Sequence, residues 1–155
     1  MLLRLAAAGA LLALAGCGGS SHDAETTTTS TFPPGCTVAE VETIVTTFLS
    51  QPDYLAPPSF FQVYATTESD GRKFSTRSRG KAVSYLRARI ALGERMRLLS
   101  LRVAPQDVNH VRITFRLTRF APDFRARGIF TRLAQGAGTI DCAHGRIAAW
   151  VQKGP

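Results

Sequence analysis

The run HVRITFRLT, residues 110–118, alternates apolar and polar side chains more cleanly than any other stretch of the chain. Val111, Ile113, Phe115 and Leu117 fall on one parity; Arg112, Thr114, Arg116 and Thr118 fall on the other. Successive side chains of a strand point to opposite faces, so the pattern predicts a strand with one buried and one wet face. A slip of one residue would bury these arginines at once, at several kcal/mol per unpaired charge, and that sets the register firmly. The segment LLSLRV, residues 98–103, reads the same way, with Leu99, Leu101 and Val103 alternating with Ser100 and Arg102. Arg102, Arg112 and Arg116 are therefore expected on one outward face, opposite Leu101, Ile113 and Phe115.

Other elements follow from local signals. Thr37-Val38-Ala39-Glu40 is a capping box, and Val38, Val41, Val45 and Phe48 keep helical spacing, which predicts an amphipathic helix to about Leu49. Pro52, Pro57 and Pro58 stop it from running on. Residues 60–68 are rich in aromatics, Val and Thr, and Asp70-Gly71 is a turn signal before residues 73–76; this predicts a hairpin. Ser78 is a candidate N-cap for a second helix from about Arg79, with Gly93 as its stop. Val83, Leu86 and Ile90 would form its apolar stripe, flanked by Arg87 and Arg89 with stems over the core and heads in water. Residues 129–142 read as a Gly-interrupted strand region, and His144-Gly145 turn it into a last strand, residues 146–152.

The N-terminus carries a different message. Arg4 supplies a short positive region and residues 5–15 an apolar run of about 11 residues, the length of a secretory signal. A membrane span needs roughly 20. Leu14-Ala15-Gly16-Cys17 resembles the lipobox of bacterial lipoproteins, in which the cysteine becomes the first residue of the mature chain and carries the lipid. Ala15 and Gly16 are the small residues that the signal peptidase needs, and the thiol is the nucleophile for acylation. The plainer alternative is an ordinary signal peptide with a cysteine nearby. The resemblance implies a signal peptide over residues 1–16, lipidation at Cys17 and anchoring to the extracytoplasmic face of the cell membrane. Loss of residues 1–16 removes Arg4 and no acid, so a net charge of +8 becomes +7. Residues 17–35 continue with GGSSHDAETTTTSTFPPG, too polar to offset the entropy of ordering, and read as a tether, either O-glycosylated or simply solvated. His22 is given no role. One domain, residues 36–155, remains.

With Cys17 on the lipid, Cys36 and Cys142 are left in an exported domain, where thiols tend to oxidise, and are expected to be joined. Two cysteines with His110 and His144 lack the ligand spacing of a zinc site, so no metal is expected. The bridge would close a loop of about 100 residues, worth on the order of 4–5 kcal/mol in the chain-entropy model.

The segments TVAEVETIVTTFL, KFSTRSRGKAVSYLRARI, RLLSLRV and GAGTIDCAHGRIAAWVQ, in that order, resemble the NTF2-like (SnoaL-like, cystatin-like cone) superfamily over about residues 36–153. The resemblance implies an α+β fold in which a curved antiparallel sheet packs on N-terminal and middle helices, forming a cone. The superfamily holds isomerases, dehydratases and cyclases beside non-catalytic binding domains, so the fold assigns no chemistry. Its enzymes place an Asp, His or Tyr inside the cone as acid or base, and the candidates here are Tyr64, His110, Asp141 and His144. If Cys142 reaches Cys36, its neighbour Asp141 points to the other face, away from the pocket. His110, at a strand start, and His144, in a turn, hold positions where surface histidines are common.

Tyr64, Leu101 and Phe115 are expected to line the cone, around a small apolar ligand. HExxH, GxSxG and phosphate-binding glycine loops are absent from the sequence; no catalytic residue is assigned and no cofactor is implied. The expected function is a membrane-anchored lipoprotein with a non-catalytic binding or accessory domain. The alternative is a SnoaL-like small-molecule enzyme (isomerase, cyclase or dehydratase) using the cone.

Charge adds one more reading. Residues 72–102 hold ten Lys and Arg against a single acid, Glu94. Nucleic acid is the usual inference from such a balance, but an exported, anchored protein seldom meets any, so none is expected as a partner. Anionic headgroups suit the location, each nearby cation being worth about 1 kcal/mol at a charged surface. Arg102, Arg112 and Arg116 are the candidate contacts; the alternative is a solvated surface rich in arginine.

Overall fold

The computed structural model describes residues 31–68 and 71–154. The expected signal peptide, Cys17 and residues 17–30 of the expected tether lie outside the described residues. Helix α1, Val38–Phe48, opens on Thr37, and both halves of the capping box form. The Glu40 amide donates to Thr37 Oγ1 at 3.4 Å, and the Thr37 amide donates to Glu40 Oε2 at 2.9 Å. These bonds satisfy amides that the first turn of a helix leaves without a partner. Val41, Ile44, Val45 and Phe48 are the buried stripe. Val38, expected in that stripe, is half exposed instead, because its place in the first turn puts it on the rim of an open groove.

The proline-rich segment keeps only a short 3-10 turn, Pro52–Tyr54. Strands β1, Val63–Thr67, and β2, Lys73–Thr76, pair antiparallel as a hairpin. Helix α2, Arg79–Ala91, starts at Ser78, whose Oγ accepts from the Lys81 amide at 3.4 Å. It stops at Gly93, whose φ of 91° is readily adopted only by glycine. Then come β3, Arg95–Pro105; β4, His110–Phe120; a short helix α3, Pro122–Arg125; β5, Arg132–Asp141; and β6, Arg146–Lys153.

The six strands form one sheet in the order β2-β1-β6-β5-β4-β3. The sheet is mixed rather than wholly antiparallel as expected, because β1 and β6 run parallel. Three successive reversals, β3 to β4 to β5 to β6, fix the direction in which β6 arrives, and β1 already lies along that direction. A second correction concerns β3. The register shifts between Leu98 and Ser100, so Leu98, Leu101 and Val103 oppose Leu117, Phe115 and Ile113. Leu99, expected on the buried parity, is the extra residue of a bulge and is 49 % exposed. A bulge sets two residues against one, which changes the parity of everything upstream of it.

Cys36 and Cys142 are bridged, with Cα atoms 5.4 Å apart, inside the geometric limit of about 7 Å. The bridge ties the entrance of α1 to the end of β5, so α1 is held against the sheet's inner face. There Val111, Ile113, Phe115 and Leu117 of β4 meet Val41, Val45 and Phe48 of α1 within one core.

Candidate functional site

The inner face of the cone is built in rows across the sheet. One row runs Tyr64, Trp150, Gly138, Ile113, Val103; the next runs Gln152, Gly136, Phe115, Leu101. Gly136 and Gly138 leave the space into which the large rings lean. A Cβ on Gly136 would lie 2.5 Å from Phe115 Cζ, and one on Gly138 would lie 3.3 Å from Ile113 Cγ1. In that space Phe115 stacks on Trp150 with centroids 3.9 Å apart, and Phe48 of α1 closes from above at 4.9 Å. The Trp150 indole donates to Gln152 Oε1 at 3.2 Å, which satisfies the one polar group that the ring carries inside. Tyr64, Leu101 and Phe115 thus all face inward, but Trp150 stands between Tyr64 and Phe115, and Leu101 lies on the groove between α1 and β3.

The other end of the cone is polar. Arg119 continues the inward parity of β4 and is 3 % exposed. Its Nε donates to Glu94 Oε1 at 2.8 Å and its Nη1 to the Thr67 carbonyl at 2.6 Å. Glu94, equally buried, accepts from Arg89 Nε at 2.6 Å on its other oxygen. The head of Arg89 is therefore not in water, as expected for a flank of α2, but half enclosed in an ion pair. Beside this cluster Tyr85 stacks on Phe74 at 3.9 Å, and Tyr64 lies 5.9 Å from Tyr85. Burial pushes the Tyr64 hydroxyl pKa far up, with Tyr85 adding to the shift and Arg119 opposing it. Burial likewise pushes Tyr85 up to about 12. Phe124 of α3 covers the cluster, its ring 5.8 Å from the Arg119 guanidinium and 5.3 Å from that of Arg132. The space left beneath Phe124 is about 10 Å³, room for one water at most.

The histidine and carboxylate candidates lie elsewhere. Asp141 alternates with Ile140 and Cys142 along the chain and so faces away from the core side, yet it is 2 % exposed. His144 accounts for this: its Nδ1 sits 2.7 Å from Asp141 Oδ2, its amide donates to Asp141 Oδ1 at 3.2 Å, and Phe60 packs on its ring. His110 pairs with Asp107 at 2.8 Å beside the β3–β4 turn. His110 and Asp141 are register partners across β4 and β5, so these two pairs adjoin at one end of the sheet, while Tyr64 lies in another row opposite Trp150; the fold does not bring all four candidates into one site.

A concavity of about 670 Å³ lies on the outer face. Its floor is two rows: Ser100, Arg116, Gln135, Lys153, and Arg102, Thr114, Ala137, Val151. Arg102 and Arg116 line it together; Arg112 stands one row further along, between Ala104 and Thr139. The three arginines share one exposed face. Glu94, Arg119 and Lys153 were not singled out from sequence. Arg119 carried a signal, since it extends the parity of Leu117 and Phe115, and Glu94 was the lone acid of a basic run. Lys153, near the C-terminus, carried none.

No protein-family model matches the chain, and no curated protein matches it. Solved structures do. A protein of unknown function with a cystatin-like fold from Methylobium petroleophilum PM1 aligns with a TM-score of 0.52 at 14 % identity, over 79 % of this chain and 78 % of that one. A domain from Xanthomonas campestris, described as a candidate calcium/calmodulin-dependent protein kinase II association domain, aligns with a TM-score of 0.52 at 13 % identity, over 81 % and 94 %. A candidate dehydratase of the NTF2-like family from Streptomyces avermitilis aligns with a TM-score of 0.47 at 12 % identity, over 76 % and 91 %. At these identities the likeness concerns the fold alone: the chain has an α+β cystatin-like fold, one six-stranded sheet packed on helices.

Proposed function

We propose that the protein is a lipoprotein of the cell envelope, anchored through Cys17, whose cone domain is a non-catalytic binding or accessory module. The observation that carries the non-catalytic half is the Trp150 and Phe115 stack, which occupies the cone interior with the chain's own rings. A small apolar ligand would enter only by parting it. The buried carboxylate nearest the cone tyrosines, Glu94, is held by Arg119 and Arg89, which suits a structural ion pair better than a proton shuttle. The anchoring half rests on the lipobox resemblance at residues 14–17.

The enzyme reading has one observation in its favour: Tyr64 and Tyr85 stand beside Glu94 and Arg119 under Phe124, and the Tyr85 hydroxyl has no hydrogen-bond partner there. Two experiments separate these claims. Cys17→Ser should release the protein from the membrane fraction or leave the precursor uncleaved; normal processing with membrane retention would defeat the anchor. Titration with small polycyclic ketones should leave Trp150 emission unchanged. Saturable quenching at micromolar ligand, accompanied by turnover, would defeat the module and favour the enzyme.

A further inference from the structure

We propose that the trough on the outer face of the sheet binds the headgroup of an anionic phospholipid, with Arg102, Arg116 and Lys153 as its phosphate ligands. Three observations carry this. The first is charge. The lining residues include three cations and no acid, and none of the three cations is ion-paired among the described residues. The sheet's only outward carboxylate among the described strands is Asp141, which is buried against His144.

The second is spacing. Arg102 opposes Thr114, so it is the diagonal neighbour of Arg116, at about 7–8 Å between such positions. Lys153 is two strands from Arg116 across Gln135, about 10 Å at the usual strand separation. Long side chains at those distances converge on one phosphodiester, the guanidiniums by paired N–H donors and the ammonium as a point charge. Ser100, Thr114 and Gln135 add neutral donors between them, while Ala137 and the 37 %-exposed Val151 offer an apolar patch to the first acyl carbons.

The third is where the chain enters. Residues 31–34 lie against residues 105–108 at the β3–β4 turn, whose tip carries Val108 at 82 % exposure. Arg102 is three residues along β3 from Pro105, about 10 Å at the strand rise. The described chain therefore enters at the Arg102 end of the sheet, with Phe32 packed on the core side and the trough on the face opposite. The choice of a lipid rather than a free anion rests on the anchored reading given above.

The test uses the purified full chain in a nonionic detergent, titrated with dihexanoyl phosphatidylglycerol, dihexanoyl phosphatidylcholine and inorganic phosphate, with amide shifts of Ser100, Thr114 and Gln135 as readout. Phosphatidylglycerol should bind saturably, at least tenfold tighter than either comparator, and weaken steeply in 0.5 M salt, where the Debye length is only a few ångströms (roughly 3 Å at 1 M). The pair Arg102→Gln, Arg116→Gln should lower affinity at least tenfold. Arg102→Lys, Arg116→Lys, which keeps the charge but loses the paired donors, should fall between the parent and the double Gln variant, and Lys81→Gln on exposed α2 should change nothing. Unchanged melting temperatures will confirm that each variant is folded. Equal affinity for phosphatidylcholine, or full affinity in the double Gln variant, overturns the site. Phosphate binding as tightly as the lipid overturns the lipid assignment in favour of a free anion. The titration is blind to acylation at Cys17, so a failed anchor shows only in fractionation and a failed trough only here.

Discussion

Replacing Gly136 with alanine tests how full the cone is. A Cβ built there runs into the Val151 carbonyl oxygen and lies 2.5 Å from Cζ and 2.9 Å from Cε2 of Phe115. Carbon atoms pack at about 3.5–4.0 Å, so the Phe115 ring must move by on the order of 1 Å. It cannot do so in place, because Trp150 is stacked on it at 3.9 Å. Disrupting an aromatic pair costs about 0.5–1.5 kcal/mol and overpacking a core about 1–3 kcal/mol, together roughly 2–4 kcal/mol. For a domain of this size that lowers the melting temperature by on the order of 10 °C. Trp150 is the only tryptophan and is fully buried, so its emission reports the same event and should shift to the red. Melting within about 2 °C of the parent, with unchanged emission, would refute the packing argument and show that the cone has room for a ligand.

Three further outcomes follow from the same structure. Removing the Cys36–Cys142 bridge by Cys→Ala at both positions should cost about 5 kcal/mol in the chain-entropy model for a separation of 106 residues, read by denaturant titration; a loss below 1 kcal/mol would contradict it. Glu94→Gln should destabilise by about 3–5 kcal/mol because it strands a buried Arg119, whereas Arg87→Ala, which breaks an exposed pair with Asp53, should cost under about 1 kcal/mol; similar losses would contradict the difference in burial. Burial raises both Tyr64 and Tyr85 above the ordinary value of 10.0. Above that pH the unfolded chain releases phenol protons that the folded one keeps, so stability should be level below it and fall as pH rises beyond it. The fall should be shallower in Tyr64→Phe, Tyr85→Phe, and an equal slope in both proteins would count against it.

Much of the frame was legible because its causes are local. The capping box of α1, the Ser78 start and Gly93 stop of α2, the β1–β2 hairpin and the parity of β4 each depend on residues within a few positions of one another. Periodicity also placed Arg102, Arg112 and Arg116 on a single outer face. The candidate site was legible only in part. Parity named Arg102 and Arg116 but could not bring in Lys153, which reaches the trough through a neighbouring strand more than thirty residues away in sequence.

Sequence by itself determined which residues alternate, where helices begin and end, and that two cysteines remain to be joined once Cys17 is set aside. Tertiary structure decided what those faces meet. A bulge, a property of two strands together, moved Leu99 outward. The parallel meeting of β1 with β6 brought Tyr64 beside Trp150, and two glycines on β5 let Phe115 stack across the cone. Arg119 is accommodated inside because Glu94, 25 residues earlier, and the Thr67 carbonyl, 52 residues earlier, arrive within hydrogen-bond reach. Local hydrogen bonding and periodicity act over a turn or a strand; burial and charge pairing depend on segments that only the closed fold brings together.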